Sequence, residues 1–300
     1  MRVNPNMVPN ILADMQQSQS AVNTALQEVA TGKKVTLPSD DPAASASMVQ
    51  NTIETANVDQ YTQNVSIMLS RLQTADSSLG SVASSLTQAI SLGTEGANGT
   101  NNTTNLQEIA TQVQGILQSV VAQANTSYQG AYLFGGTNTS SAPYTASSSS
   151  ATGYTYNGNS DVNSVAVGDG VNVQVNLPGS QIFSNSNGDV LGSLSSLVTA
   201  LQSGNSTDIK SATSAVSAAL SNVSQQRAFY GTAESQLNSQ ETYLQQETVS
   251  LTSQQNSLVG VDEAQAATLL SQAETVNSAA EAAAAKVLPT TLLNYLAPPQ

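Results

Sequence analysis

From Ile209 an apolar residue recurs at every seventh position, through Val216, Val223, Tyr230, Leu237, Leu244 and Leu251 to Leu258. A second run, Val58, Val65, Leu72, Leu79 and Leu86, is interleaved with Tyr61, Met68, Ala75, Val82 and Ala89. A seven-residue repeat keeps one seam of a helix facing a partner helix and imposes a left-handed supercoil. Shorter runs continue it at both ends of the chain: Val8, Met15, Val22 and Val29, then Leu269, Val276 and Ala283. Matching stripes on sequence-distant helices predict that the two ends lie side by side. The expected fold is mainly α, an elongated antiparallel bundle or coiled coil built from both chain ends, with a small β-rich insert.

The helix boundaries follow from breakers and caps. The first helix is expected from after Pro9 to about Thr31, closed by Gly32, with Lys33 and Lys34 placed where a helix C-terminus favours positive charge. Pro38 and Pro42 exclude a helix between them, and Ser39 or Asp40 is positioned to cap the next one, which runs to about Leu92. Gly93 to Asn105 reads as a turn, and Leu106, Ile109, Val113, Ile116, Val120 and Ala124 mark one face of a third helix. Helices two and three then form an antiparallel hairpin. Periodicity changes at Tyr132-Leu133-Phe134-Gly135-Gly136. Strands are expected at 153–158, at 162–167 and at 171–177, the last two joined by Gly168-Asp169-Gly170. Helical spacing returns at Leu191, turns at Gly204-Asn205, and continues in a final arm of ~75 Å from Ile209 to Leu258 at 1.5 Å per residue.

The step from Leu258 to Leu269 is eleven residues, a four-residue stutter that unwinds a coiled coil locally. This suggests three parts: a terminal pair (1–37 with 262–300), an outer helical bundle (43–137 with 191–259) and a β-rich outer domain (138–190). The terminal pair is thin, since 279–285 is all alanine except Glu281. An isolated pair of this kind is marginal in water, so disorder in the monomer and ordering on assembly are expected. Pro289 is expected to interrupt the last helix, leaving Leu292, Leu293, Tyr295 and Leu296 as an apolar cluster. The candidate interface residues are therefore Val8, Met15, Val22, Val29, Leu269, Val276, Leu292, Leu293, Tyr295 and Leu296.

Composition narrows the chemistry. With no Cys and no His in 300 residues, nearly all zinc sites, thiol chemistry and Ser-His or Cys-His nucleophilic pairs are excluded. A net charge of −13, with seven basic residues scattered apart from Lys33-Lys34, argues against nucleic acid and anionic membrane as partners. Asp40-Asp41, between two prolines, fits capping far better than catalysis or metal binding. Asn185-Ser186-Asn187-Gly188-Asp189 lacks the distal Glu of a calcium loop and reads as a turn. Gly130 to Gly136 holds no phosphate-loop fingerprint. Neither a catalytic site nor a metal or cofactor is expected. Met1-Arg2-Val3-Asn4-Pro5-Asn6 has no apolar signal-peptide core, and no segment approaches a membrane-spanning length.

Several segments carry a family resemblance. Ala30-Thr31-Gly32-Lys33-Lys34-Val35 through Pro38-Ser39-Asp40-Asp41-Pro42 resembles the N-terminal signature of the flagellin family of bacterial flagellar axial proteins. Arg227-Ala228 with Gly231, and Asp262-Glu263-Ala264 through Leu292-Leu293-Asn294-Tyr295-Leu296, are similar to its C-terminal segments. The Pro-Ser-Asp-Asp-Pro form, and Tyr132 to Thr139 followed by Ala142-Pro143-Tyr144, resemble members that sit at the hook-filament junction more than filament flagellin. Glu234-Ser235-Gln236-Leu237 stands where filament subunits usually carry Asn-Arg-Leu-Glu, and Ala297-Pro298-Pro299-Gln300 extends past the usual end. The resemblance implies a structural, non-enzymatic subunit of the extracellular flagellum, exported by the flagellar type III apparatus after a cytoplasmic export chaperone has held it. It further implies self-association in a ring, between a neighbouring hook-associated protein and flagellin. Filament flagellin is the alternative.

Overall fold

The computed structural model describes residues 7–148, 150, 152–185 and 188–296, and the side chains of 9–286 among them. In chain order the elements are α1 (Met7–Thr31), α2 (Pro42–Gly96), α3 (Thr103–Ala124), β1 (Ser127–Tyr128), β2 (Ala131–Tyr132), β3 (Tyr144–Ala146), β4 (Tyr154–Tyr156), β5 (Ser164–Gly168) and β6 (Val171–Gln174). They continue with α4 (Gly179–Ile182), β7 (Ser184–Asn185), β8 (Gly188–Asp189), α5 (Val190–Ser203), α6 (Ser206–Val259) and α7 (Glu263–Leu296). The expected class, mainly helical with a β-rich insert, is what the chain adopts. Two compact units form, Met1–Asn57 with Glu247–Gln300, and Val58–Gln246. The division thus falls at 57/58 and 246/247, and the segment 138–190 lies within the second unit.

The second unit is organised by the heptads. Val65, Leu72, Leu79, Val82 and Leu86 on α2, and Ile209, Val216, Val223, Tyr230 and Leu237 on α6, are enclosed. These helices run antiparallel: Arg227 on α6 chelates the Asp76 carboxylate on α2 through Nε and Nη2 at 2.8 and 2.9 Å, while a Cβ on Gly93 would strike Thr213. α3 folds back along α2, with Ser78 Oγ donating to the Gln123 carbonyl at 3.0 Å. Leu106, Ile109, Val113 and Val120 face inward, as their spacing predicts, and Leu191, Leu194, Leu197 and Leu201 bring α5 against α3.

Among the described residues the β segment makes four separate antiparallel hairpins rather than one sheet. Strands β4 and β6 fall in the expected runs, β5 extends one residue past its run to Gly168, and Gly170 at φ +67° supplies the β5–β6 turn. The two-residue strands and α4 were not legible, being too short to show a period. This segment does not stand apart from the helices of its unit. Phe134, Ile182 and Phe183 are fully buried, and the two phenylalanine rings meet edge to face at 5.4 Å. Asn222 on α6 donates to the carbonyls of Ile182 and Gly188, and Asn64 on α2 donates to that of Ala166. Burial pushes the phenols of Tyr144 and Tyr230 well above their usual range.

Four local expectations need correction. α2 continues to Gly96, four residues past Leu92. Its cap is Asp41, whose Oδ1 accepts from the amides of Ala43 and Ala44 at 3.0 and 2.9 Å, rather than Ser39 or Asp40. With Pro42 in the first helical position, the cap must be the residue immediately before it. The eleven-residue heptad step falls at the boundary read there, but as a break between two helices and not as an unwound stretch of one, for α6 stops at Val259 and α7 starts at Glu263. Finally, α7 runs through Pro289 to Leu296. Proline's fixed φ is helical, so the missing N–H and the crowding of the preceding turn weaken or kink a helix at that point but need not end it.

Candidate assembly interface

In the first unit the two chain ends are joined where they leave their helices. Gly32 closes α1 at φ +67°, a left-handed position that glycine adopts without a Cβ penalty. Lys33 then bridges Gly260 in antiparallel fashion. The Lys34 amide donates to the Val259 carbonyl at 2.8 Å and the Val261 amide to that of Gly32 at 3.1 Å. Beneath this bridge Val35, Ala44 and Val259 form a small core, with Met48 and Leu258 packed against it. Asp40 fixes the loop by accepting from the Leu37 and Thr36 amides at 2.9 and 3.1 Å, bonds that hold its carboxyl below the usual value. Asp262 caps α7 through the amides of Ala264 and Gln265. The adjacent aspartates of the loop are thus both spent on backbone amides, as the capping reading expects.

Beyond the bridge α1 and α7 run antiparallel. Their seam consists of Ile11, Met15, Ser18, Val22 and Ala25 on α1, against Ala266, Leu270, Ala273, Asn277, Ala280 and Ala284 on α7. Of these just Ser18, Ala25, Ala266 and Ala284 are buried, and the Ser18 hydroxyl is enclosed without a hydrogen-bond partner. The seam is thin because alanine side chains remove little apolar area from water.

The candidate residues divide into three groups. Met15 and Val22 are half-buried in the seam, where the heptad placed them. Val29, Leu269 and Val276 are 39%, 44% and 60% exposed. The stripe read on α7 was one position off the seam, which follows 266/273/280 and 270/277/284. Alanine carries so little hydropathy that Leu269 and Val276 dominate the pattern although they face solvent. The side chains of Val8, Leu292, Leu293, Tyr295 and Leu296 lie outside the described residues.

Sequence reasoning missed two features. Leu12 and Leu26 on α1, two heptads apart, are 49% and 53% exposed. A groove of about 360 Å³ is lined by Val35, Leu37, Pro38, Met48, Val49 and Ile53, with Lys33 at its rim. The spacing of Val49 and Ile53, four apart on a face not used by the heptad, was the available signal. Neither feature offers a chemical centre. Among the described residues no cluster of three or more His, Cys, Asp or Glu is placed to hold a metal, and no helix is long and apolar enough to cross a membrane. What the first unit presents is apolar surface on helices whose mutual seam is weak.

Residues 3–139 match the bacterial flagellin N-terminal helical region, and residues 213–296 match the C-terminal helical region. Flagellar hook-associated protein 3 of Escherichia coli (strain K12) is 30% identical over 119 residues, 39% of this chain and 38% of that protein. Its counterpart in Salmonella typhimurium is 29% identical over 146 residues, 48% and 46% of the two chains. The matched stretch is therefore less than half the length of either relative. The fold is similar to Bacillus cereus FlgL, with TM-score 0.60 and 24% identity over 69% of this chain and 99% of that one. It is also similar to hook-associated protein-3 of Legionella pneumophila, with TM-score 0.64 and 14% identity over 70% and 98%. With both helical regions matched and the relatives' fold reproduced, the chain belongs to the bacterial flagellin family and is of the FlgL, or hook-associated protein 3, type.

Proposed function

We propose that this chain is a structural subunit of the bacterial flagellum, assembled in a ring at the junction between hook and filament. The observation that carries the reading is the unpartnered apolar surface of the α1/α7 pair, in a chain of the hook-associated protein 3 type. Leu12 and Leu26 lie on one face, Leu269 and Val276 on the other, and the α7 side of the seam between the helices is mostly alanine. Exposed apolar rows of this kind mark contact sites, and a pair with so small a seam gains most of its order when neighbours cover it. The same segment, with Val8, Met15, Val22 and Val29 at one end and Leu292, Leu293, Tyr295 and Leu296 at the other, is proposed to be held by a cytoplasmic chaperone before type III export. An amphipathic helix occupied by a chaperone groove cannot polymerise at the same time. The role is one of packing, not catalysis.

Deleting the gene in the parent bacterium tests this. A junction subunit leaves hooks without filaments, with flagellin shed into the medium. Bare hooks with no released flagellin would instead support a filament subunit, the second reading, favoured by the match of both helical regions to those of flagellin. Limited proteolysis of the purified monomer is expected to trim residues 1–40 and 262–300 first. Uniform resistance would refute ordering on assembly.

A further inference from the structure

The groove beside the bridge and the exposed row on α1 are different surfaces of one chain, and their chemistry matches. The groove floor is apolar, and Leu37, Val49 and Ile53 remain 58%, 61% and 52% exposed around it. At its rim stands Lys33, followed by Lys34, two of the seven basic residues in a chain of net charge −13. Among the described residues neither lysine forms an ion pair. The two nearby carboxylates, Asp40 and Asp41, are directed at backbone amides.

On the terminal pair, Leu12, Gln19 and Leu26 form one row at seven-residue spacing on α1. Asn277, in the seam of α7, donates to Gln19 Oε1 at 3.4 Å and to Glu281 Oε1 at 3.0 Å. Gln19 and Glu281 therefore border the same face of the pair. Glu274 lies two turns before Glu281 on that side, and Glu263 three turns before Glu274, all three exposed. By contrast Leu269 and Val276 each lie four residues before a seam residue, Ala273 and Ala280, and emerge on the other side. One face of the pair thus carries two exposed leucines, Leu12 and Leu26 on either side of Gln19, flanked by an acidic row.

We infer that this face of one subunit docks into the groove of a second copy. Leu26 enters between Leu37, Val49 and Ile53, and Glu274, in the middle of the acidic row, meets Lys33 and Lys34. The inference rests on the assembly role proposed above and names the two surfaces that meet. The contact is heterologous, because donor and acceptor patches differ. Each copy that accepts a face still offers its own, so repetition closes a ring or continues as a helix instead of stopping at a dimer. The apolar insertion supplies adhesion. The charge pairing fixes direction and suppresses the reverse docking, in which the acidic face would meet another acidic face.

The absence of cysteine makes the test clean. Full-length Val49→Cys and Leu26→Cys variants are co-expressed in the parent bacterium lacking its own copy, and isolated flagella are treated with a short bis-maleimide. A covalent dimer is expected from the mixture and none from either variant alone. Normal filaments that yield no dimer would overturn the inference while leaving the junction role intact. If either cysteine variant fails to assemble, charge reversal decides. Lys33→Glu is expected to lower filament number at least several-fold and Lys33→Glu with Glu274→Lys to restore it. No restoration overturns the docking. Filaments that do not return with the unsubstituted chain would instead count against the junction role, and with it this inference.

Discussion

Gly93 offers a test in which helix propensity and packing oppose each other. It lies in the last turns of α2, where replacing glycine by alanine ordinarily stabilises a helix by ~0.5–1 kcal/mol. Here a Cβ would fall on the Thr213 hydroxyl of α6, and within 3.2 Å of Thr213 Cγ2 and 3.3 Å of Leu197 Cδ1. Thr213 cannot simply rotate away. Its hydroxyl donates to the Ile209 carbonyl at 2.7 Å, and exchanging hydroxyl for methyl leaves an atom in the same place. Overpacking a close helix contact costs about 1–3 kcal/mol. Subtracting the propensity gain leaves a net loss of about 0–2.5 kcal/mol for Gly93→Ala, and the very close approach to Thr213 places it in the upper part, about 1–2 kcal/mol. For a unit of this size that lowers the melting temperature by ~3–6 °C, read by far-UV circular dichroism of the full chain. Gly115→Ala on α3 and Gly231→Ala on α6 are the controls, since nothing lies within 4 Å of either Cβ. Both are expected to raise the melting temperature. Adding Thr213→Ala to Gly93→Ala is expected to recover most of the loss, a coupling of about 1–2 kcal/mol in a double-mutant cycle. A Gly93→Ala chain that melts at or above the parent would refute the close approach of α2 and α6 at this point.

Leu72→Asp is expected to destabilise the second unit by several kcal/mol, on the order of ~3–5, because a carboxylate in the enclosed seam has no partner; Val249→Asp, at a 69% exposed site, is the control that should barely move. Phe183→Ala should cost about 3–5 kcal/mol and melt helices and hairpins together; loss of near-UV signal with an unchanged helical transition would show that the β segment folds separately. Asp76→Ala should cost at most ~1 kcal/mol, since Asp76 and Arg227 are each about a third exposed and their bidentate pair is screened by water; a larger loss in urea unfolding would mean that the pair is structurally indispensable. The Asp40 carboxyl titrates below its ordinary value of 3.8, so its stabilisation is present above that pH and disappears as the pH falls through and below it. The melting difference between the parent and Asp40→Asn should vanish under acid; a difference that persists there would rule out the amide bonds as its cause.

The sequence by itself determined the long helices and their seams. A seven-residue period in Leu and Val survives any tertiary context, because burying that stripe is what holds the helices together. The inward positions of Leu72, Leu79, Val223 and Leu237 follow from it directly. Gly32 and Pro42 also fixed local geometry, through backbone limits that need no neighbours. The tertiary structure decided what spacing leaves degenerate. On α7 the seam is built of alanines, whose weak hydropathy could not outvote Leu269 and Val276, so the stripe visible in the sequence turned out to be the outer face. Two-residue strands carry no period, and the hairpins were placed by the phenylalanines and by Asn222 reaching from α6. The groove at Val49 and Ile53 depends on the loop of Val35, Leu37 and Pro38 folding against α2, a meeting that no local pattern encodes. Periodicity shows which faces a chain must bury; which faces remain for another subunit is decided when the helices close on each other.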